Sequence, residues 1–384
     1  MAEFKIRQAG GVGWYTDWAT AIAAAEAAHG GGLAEDVYIL CYDSLTYNEN
    51  IAQNLNLYSD SEYTVYIGGA DGYLPVISGD DSHRGGAGWI WQNTHFVNDD
   101  TTTIETSDGL HYQKMQLINC IVENIHIPGG CCIRGDGAFY ARNTQFVTTF
   151  GGTNYHWLDA SSGNSFICDG CYFYSTDTSA NSLGIDGTMG SFIFRGCVFY
   201  GAQTVIERNE YYAQIIEYCT FYNAIDSASY ICCNYGSTSA GAEKRVGPLF
   251  KFRGNIFDGN GKGIAIQSKE SRIESDYNVF NVATVVSLDN EGLTYNLAQW
   301  QANVRGQDAN SLSEDPQLTN PGAGDFTPKS AYFGQTPVLP GTPTFLGETT
   351  RYDHMGTVGA VDPVGSYDDP TDPPTVVTNS GYTE

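Results

Sequence analysis

The segment Gly170-Cys171-Tyr172-Phe173 returns as Gly196-Cys197-Val198-Phe199 and again as Tyr218-Cys219-Thr220-Phe221. Each copy of this repeat motif begins with Asn, Gly or Tyr, continues with Cys, Thr or Asn and a variable residue, and ends with Phe or Val. The last residues of successive copies are 22 to 36 positions apart. Such a period predicts a solenoid. The eight copies are Asn93–Phe96, Asn119–Val122, Asn143–Phe146, Gly170–Phe173, Gly196–Phe199, Tyr218–Phe221, Gly254–Phe257 and Tyr277–Phe280.

A second short apolar stretch follows each repeat motif and ends in a polar residue. Three examples are Trp157-Leu158-Asp159, Gly184-Ile185-Asp186 and Val205-Ile206-Glu207. Turns rich in Gly, Asn, Asp and Ser separate the stretches and leave no room for a helix. Each repeat thus offers two or three strands that must stack on their neighbours to bury an apolar face. Because the period is irregular, we exclude leucine-rich and propeller repeats and predict an all-β, right-handed parallel β-helix.

The repeat motif also predicts the interior of the coil. Equivalent residues in successive coils lie about 4.8 Å apart. The residue two positions before each final Phe or Val faces the same way as that residue, so the Cys, Thr and Asn residues form a ladder of small side chains. The predicted internal stack contains Phe96, Val122, Phe146, Phe173, Phe199, Phe221, Phe257 and Phe280.

The ten cysteines lack the spacing of a zinc site, so we expect no zinc. We interpret the four in the ladder, Cys120, Cys171, Cys197 and Cys219, as buried thiols that pack as small hydrophobic groups; disulfides are the alternative. The adjacent pairs Cys131-Cys132 and Cys232-Cys233 are also expected to be thiols, because a disulfide between neighbouring residues is strained.

The chain divides into four parts. Residues 1–35 are predicted to carry a capping helix over Trp18–His29, begun by Thr16 or Asp17 and ended by three glycines. Residues 36–292 form the coils, which we expect to start with strands at Val37–Tyr42 and Tyr63–Gly68. Residues 293–340 form a C-terminal cap with a short helix in the segment 293–302. Residues 341–384 are rich in Pro, Asp and Thr, and we expect them to be extended and mobile.

The charge limits the partners. The chain has 44 acidic and 18 basic residues, a formal net charge of −26. This argues against nucleic acid and anionic membranes as partners, because both would be repelled. No apolar run is long enough for a membrane-spanning helix, so we expect no membrane insertion. The N-terminus does not show a basic stretch followed by an apolar one, so we expect no cleaved export signal.

Three further segments carry a family resemblance. They are Tyr15-Thr16-Asp17-Trp18-Ala19-Thr20-Ala21, then Asp276-Tyr277-Asn278 with Tyr295-Asn296-Leu297-Ala298-Gln299-Trp300, and finally Asp315-Pro316 with Asn320–Phe326. With them the chain resembles the parallel β-helix proteins of the pectin-lyase-like superfamily, and especially its uncharacterised and virion-associated members. The resemblance implies the fold over roughly residues 14 to 330. It does not select an activity, because this fold serves lyases, hydrolases, epimerases, adhesins and phage structural proteins.

The polar residues that end the second stretches predict a row on one side of the coil. Three neighbouring members, Asp159, Asp186 and Glu207, would lie at steps of about 5 Å. Carboxylates one coil apart suit a retaining glycosidase and those two coils apart approach the inverting distance. The nearby Tyr155, His156, Tyr211 and Tyr212 could stack on sugars. The full predicted row is Glu105, Arg134, Asp159, Asp186, Glu207, Cys233, Gln267 and Asp289.

Two other interpretations of this row stay open. It is a solvated acidic face, as expected for a chain with many carboxylates, or it binds structural calcium at Asp159 and Asp186. Arg208 is the only cation beside the three acids, so the lyase signature is missing. A separate candidate binding site is the insertion between Phe221 and Phe257, which includes Asn234, Tyr235, Lys244 and Arg245.

The sequence therefore leaves two functions. The leading interpretation is a non-enzymatic structural or adhesive protein of a virion surface, such as a phage head decoration, fibre or tail component. It would form a homo-oligomer, expected to be a trimer, contact other virion proteins and a host-surface glycan, and need no cofactor beyond structural calcium. The alternative is an extracellular glycan depolymerase, a glycoside hydrolase or polysaccharide lyase, that uses Asp159, Asp186 and Glu207.

Overall fold

The computed structural model describes most of the predicted coils and both helices, and for some strand residues it describes the backbone alone. The described residues are 2–29, 33–49, 51, 62–79, 88–98, 102–105, 115–125, 131–134, 138–148, 156–160, 164–175, 183–187, 190–201, 204–207, 214–222, 230–232, 250–259, 262–266, 273–288, 292–303, 306–321, 326, 328, 344–345 and 348–349.

Nearly all described elements are strands, and they form four stacked sheets. Sheet I has twelve strands in the order Trp14–Tyr15, Ala2–Ile6, Val37–Cys41, Val65–Gly69, Ile90–Gln92, Met115–Ile118, Ala138–Arg142, Asn164–Asp169, Gly190–Arg195, Gln214–Glu217, Phe250–Arg253 and Ile273–Asp276. Sheet II has ten strands, Thr46–Asn48, Val76–Gly79, His95–Asn98, Ile121–Asn124, Gln145–Thr148, Tyr172–Ser175, Val198–Tyr200, Thr220–Tyr222, Ile256–Asp258 and Val279–Asn281.

Two smaller sheets complete the coils. Sheet III has five strands, Thr102–Glu105, Cys131–Arg134, His156–Ala160, Leu183–Gly187 and Thr204–Glu207. Sheet IV has four, Tyr230–Cys232, Lys262–Ile266, Thr284–Leu288 and Leu293–Tyr295. A separate antiparallel pair joins Thr344–Phe345 to Glu348–Thr349.

The chain winds through these sheets in a fixed order. One coil runs from Ala138–Arg142 in sheet I to Gln145–Thr148 in sheet II, then to His156–Ala160 in sheet III and back to sheet I at Asn164–Asp169. All described pairings within sheets I, II and III are parallel, which requires each connection to cross over, and such crossovers are right-handed. The predicted right-handed parallel β-helix is confirmed.

The predicted internal stack is present in sheet II. All eight predicted residues are at most 1% exposed, and each pairs in register with its counterpart in the next coil. From Phe146 to Phe280 six phenylalanine rings lie face to face, with centroids 4.7 to 5.0 Å apart. Each ring removes a large apolar area from water, which stabilises the fold by about 1.5–3 kcal/mol per residue.

The first residue of each repeat motif makes the turn from sheet I to sheet II. All eight have a positive φ, from 47° at Asn93 to 65° at Gly254. Glycine adopts this left-handed conformation freely, and asparagine tolerates it better than most residues. The residues that begin the motif therefore share the need for a positive φ, which the sequence pattern alone did not explain. Tyr218 and Tyr277 adopt it too, with φ of 56° and 59°.

The second residue of each motif forms the predicted ladder and is buried in every coil. In the six motifs with Thr or Cys at this position, the side chain donates a hydrogen bond to the carbonyl two residues earlier, as Thr94 Oγ1 does to Gln92 at 2.8 Å and Cys197 Sγ to Arg195 at 3.3 Å. In a later coil, Asn255 Oδ1 accepts a hydrogen bond from the backbone N–H of Cys219 at 2.9 Å. The ladder therefore satisfies buried backbone groups at the turn.

The N-terminal helix runs over Trp18–His29, as predicted. Its N-cap is Asp17, whose Oδ1 accepts from the backbone N–H of Thr20 at 2.7 Å. Burial acts to raise the pKa of Asp17, but the hydrogen bonds from Thr20 hold it below its usual value. The helix buries Trp18 and Ile22 against the core. The strands Ala2–Ile6 and Trp14–Tyr15 lie outside the strand at Val37–Cys41, so the prediction that the winding starts at Val37 is wrong.

The second helix covers the other end of the coil. It is shorter than predicted, Leu297–Asn303, because Leu293–Tyr295 forms an antiparallel strand with Thr284–Leu288. Trp300 Nε1 donates to Asp308 Oδ2 at 2.9 Å, and Ser311 Oγ donates to Asp308 Oδ1 at 2.6 Å. Burial raises the pKa of Asp308. The predicted division into 1–35, 36–292, 293–340 and 341–384 stays a prediction, and the segment Asp362–Glu384 lies outside the described residues.

Among the described residues, neither helix has the length and apolarity to cross a membrane.

Candidate functional site

Sheet III places the predicted acidic residues in one backbone row. Asp159 pairs with Asp186, and Asp186 pairs with Glu207, on consecutive parallel strands. The row continues on the other side, because Arg134 pairs with Asp159 and Glu105 pairs with Arg134. Neighbouring strands lie about 4.8 Å apart, so the backbones of Asp159 and Glu207 are about 10 Å apart. The structure thus gives the register on which the site prediction depends.

Buried residues fix this register. Leu158 and Ile185 precede the two aspartates in their strands and are fully buried. They pair with each other, and Leu158 also pairs with the buried Ile133 of the preceding coil. Because a shift of one residue would move these apolar side chains out of the core, the row next to them is held in place.

The described part of sheet III holds five of the eight members of the predicted row, from Glu105 to Glu207. Sheet III ends with Thr204–Glu207, and the following coils use sheet IV, which begins at Tyr230–Cys232. Cys233, Gln267 and Asp289 lie outside the described residues. The described hydrogen-bonded ladder of sheet III ends at Glu207, and the placement of these three residues in the row stays a prediction.

The other predicted contributors to the site are only partly described. His156 begins its strand and pairs with Cys131. Tyr155, Arg208, Tyr211 and Tyr212 lie outside the described residues. The same holds for the candidate binding loop with Asn234, Tyr235, Lys244 and Arg245.

The eight described cysteine side chains are buried thiols that form no disulfide. Cys131 and Cys132 lie in the sheet III strand beside the acidic row, and Cys132 Sγ donates to the carbonyl of Val147 at 3.3 Å. Burial raises the pKa of Cys132 far above that of a reactive thiol, and it raises the pKa of Cys120 to about 12. These thiols are packing groups of the core.

No cluster of His, Cys, Asp and Glu suited to a metal ion occurs among the side chains that the structure describes. Calcium at Asp159 and Asp186 stays a prediction. If present, it would be held by carboxylate oxygens on neighbouring strands, a donor set that suits a hard cation.

A second row, which was not predicted from the sequence, lies at the end of the sheet I strands. Pairing in register produces alternating charges over six coils, which we call the charge ladder. Glu217 is 2% exposed and binds two cations, Arg195 Nε at 3.3 Å and Lys251 Nζ at 2.7 Å. Every member directly precedes a repeat motif, so extending the alignment by one residue would have revealed it. The charge ladder is Arg142, Asp169, Arg195, Glu217, Arg253 and Asp276.

Comparison with known proteins supports the fold. No protein-family model matches the chain, and no curated protein is similar to it in sequence. The solved structure of pectate lyase Pel9A is similar over 94% of this chain and 96% of that one, with a TM-score of 0.51 and 15% sequence identity. A pectin methylesterase from Aspergillus niger is similar over 72% of this chain and 88% of that one, with a TM-score of 0.40 and 12% identity.

Pectate lyase Pel9A is a parallel β-helix protein, in agreement with the predicted pectin-lyase-like fold. At this identity the similarity establishes the fold alone. The interpretation as a virion surface protein with a trimeric assembly gains no support from this similarity and stays a prediction.

Proposed function

We propose that the protein is a polysaccharide-degrading enzyme and that Asp159, Asp186 and Glu207 are its catalytic groups. One observation carries this proposal, the backbone register of three carboxylate residues on consecutive strands of sheet III. The similarity to pectate lyase Pel9A, an enzyme with this fold that acts on a polysaccharide, adds support. For this reason we prefer the enzyme to the structural virion protein that the sequence favoured.

The row provides the spacing that glycosidic bond cleavage needs. Two carboxyl groups about 5–5.5 Å apart serve a retaining mechanism, in which one is the nucleophile and the other the acid. A separation of about 6.5–9.5 Å leaves room for a water molecule and serves an inverting mechanism. The backbones of neighbours in the row lie about 4.8 Å apart, near the first distance, and those of Asp159 and Glu207 lie about 10 Å apart, near the second. The central Asp186 has a carboxylate residue on each side in the backbone row, and our proposal is that one of the three stays protonated to act as the general acid.

The charge of the chain favours a neutral glycan. With a net charge of −26, the protein repels a polyuronate unless calcium bridges the two. The same assay would also detect the alternative activity, a calcium-dependent lyase that acts on an acidic polymer. The two chemistries give different products, because a lyase leaves an unsaturated sugar that absorbs ultraviolet light and a hydrolase does not.

The test is an activity assay on neutral bacterial surface polysaccharides and on pectate, each with calcium and with EDTA. We expect release of reducing ends from a neutral glycan, without ultraviolet absorbance and without a need for calcium. Asp186→Asn should lower the rate at least about 100-fold, as expected for loss of a general acid or base. The control Asp71→Asn removes the same charge from an exposed turn and should keep full activity.

Two results would overturn the proposal. One is the absence of cleavage on the whole panel by a chain that is folded. The other is equal activity of Asp186→Asn and Asp71→Asn, which would make the acidic row a solvated surface. A trimeric mass by light scattering together with the first result would favour the structural interpretation.

A further inference from the structure

The last strand of sheet II is followed by a short segment that repeats the hydrogen bonds of a repeat motif. Leu312 pairs in parallel with Val279, the third residue of the last motif. The backbone N–H of Leu312 donates to the carbonyl of Asn278 at 2.8 Å, and its carbonyl accepts from the N–H of Phe280 at 2.8 Å. One coil earlier, the N–H of Val279 donates to the carbonyl of Asn255 in the same way, also at 2.8 Å. The segment therefore adds a rung to sheet II beyond its tenth strand.

The ladder of small buried residues continues through the same segment. Ser311 Oγ accepts from the backbone N–H of Asn278 at 2.8 Å. In the preceding coil, Asn278 Oδ1 accepts from the N–H of Asn255 at 2.9 Å. Ser311 is 6% exposed, and its Oγ donates to Asp308 Oδ1, which also accepts from Asn278 Nδ2 at 3.0 Å. Asn310-Ser311-Leu312 thus stands where a ninth copy of the repeat motif would begin, and we call it the ninth rung.

Residues beside the ninth rung close the last strand of sheet I. The backbone N–H of Ser275 donates to Gln307 Oε1 at 2.7 Å, and its carbonyl accepts from the N–H of Asp308 at 2.6 Å. Asp276 Oδ1 accepts from the N–H of Asn310 at 2.8 Å, and Asp276 Oδ2 accepts from Asn310 Nδ2 at 2.8 Å. Backbone groups at the edge of a sheet are a template for a further strand when they are unpaired. Here the chain itself pairs them.

The chain departs from the repeat directly after the ninth rung. Ser313 takes the position that Phe280 holds in the last coil, and it is exposed. The exposed acids Glu314 and Asp315 come next, followed by Pro316. Charged side chains and proline protect the edges of sheets, and proline also lacks the N–H group that pairing needs. The segment therefore continues the coil by one rung and then ends it.

A second anchor holds the segment that follows the ninth rung. Phe326 is fully buried on the outer face of sheet II, and Leu318 packs against the same cluster. The Phe326 ring lies against three tyrosines of consecutive coils, with centroids 5.6 to 6.1 Å apart. These tyrosines are Tyr172, Tyr200 and Tyr222. The segment is thus held at the end of the coil and again along its side.

We propose that the ninth rung is an end stop, which prevents this end of the coil from pairing with a second copy of the chain. Stacked repeats need a terminal unit that protects the last apolar face and its backbone groups. Without the ninth rung, the strand Val279–Asn281 is an unpaired, extended edge to which a strand of another copy can add. This inference goes beyond the proposed function and does not depend on it, because it concerns sheets I and II and not the acidic row.

A proline in the ninth rung tests the proposal. Leu312→Pro removes the N–H group that binds the carbonyl of Asn278, so it should open the edge of sheet II. We expect the molar mass of the full chain, measured by light scattering, to rise with concentration to at least twice that of the unaltered protein. Ser313→Pro is the matched control, because no described hydrogen bond uses the N–H of Ser313, and it should keep the mass of the unaltered protein.

A milder pair of variants keeps the test decisive if Leu312→Pro does not fold. Ser311→Ala leaves the buried N–H of Asn278 without its acceptor, so hydrogen exchange of this amide should become at least about fivefold faster. Its molar mass should also rise with concentration. Ser313→Ala removes the same hydroxyl from an exposed position and should change neither quantity.

Either of two results would overturn the proposal. The first is a folded Leu312→Pro variant whose mass equals that of Ser313→Pro at every concentration, which would mean that the ninth rung does not control association. The second is that Ser311→Ala and Ser313→Ala share the same exchange rate at Asn278 and the same mass.

Discussion

The connections on the two sides of each coil differ in how much their length varies. On one side sheet I passes into sheet II through two residues in each of the eight coils that carry a repeat motif, as through Asn143-Thr144 between Arg142 and Gln145. On the other side the connections vary: three residues separate Tyr200 from Thr204, and seven separate Thr148 from His156. The irregular period of the sequence arises on this variable side. The uniform side keeps the coils in register, and the variable side, which includes the acidic row, is where the chain can change without losing the fold.

The largest test of this difference is a single inserted residue. A glycine inserted between Gly196 and Cys197 should prevent folding, because it shifts the left-handed turn. Val198 would then face the core and Phe199 would face outward, the reverse of the native arrangement. The same insertion between Thr238 and Ser239, in the long connection between sheets, should leave the chain folded. Soluble yield and far-ultraviolet circular dichroism measure both. Equal tolerance of the two insertions would contradict the distinction between the two sides.

The stack on the uniform side should carry much of the stability. Phe199 is fully buried, and its ring lies 4.7 Å from Phe173 and 4.8 Å from Phe221. Phe199→Ala should lower the free energy of unfolding by about 3–5 kcal/mol, since it leaves a cavity between two rings that cannot close up. Chemical denaturation gives the value, with Tyr73→Ala at an exposed position as control. A loss below about 1 kcal/mol would mean that the stack is not a unit of stability.

The smallest effect is expected at the turn itself. Asn143 is exposed with a φ of 48°, and its side-chain amide donates to Asn119 Oδ1 at 3.4 Å. Asn143→Val should destabilise the fold by about 1–2 kcal/mol, because a β-branched residue is strained at positive φ. Asn143→Gly should cost less, since glycine adopts this conformation without strain. Denaturation of both variants checks the order, and a valine variant as stable as the glycine variant would rule out a backbone cause.

The site illustrates what can be predicted from a repeat. Asp159, Asp186 and Glu207 could be aligned because each ends a short apolar stretch eight to thirteen residues after the repeat motif. The charge ladder is equally visible in the sequence, but the ion pairs that its members form with residues outside it, such as that of Glu217 with Lys251, are decided in the folded coil. The hydrogen bond from Asn310 to Asp276 joins residues 34 positions apart, and no local sequence pattern predicts it.

By itself the sequence determined the parallel β-helix, the phenylalanine stack, the ladder of small buried residues and the N-terminal helix. Each of these depends on the spacing of apolar and turn residues along the chain, which is local information repeated many times. Only the tertiary structure decided where sheet III ends, which strands begin the winding and that Ser311 extends the ladder of small residues beyond the last repeat motif. These features depend on register between distant strands and on the packing of the terminal segments, where the repeat stops and periodicity no longer constrains the chain.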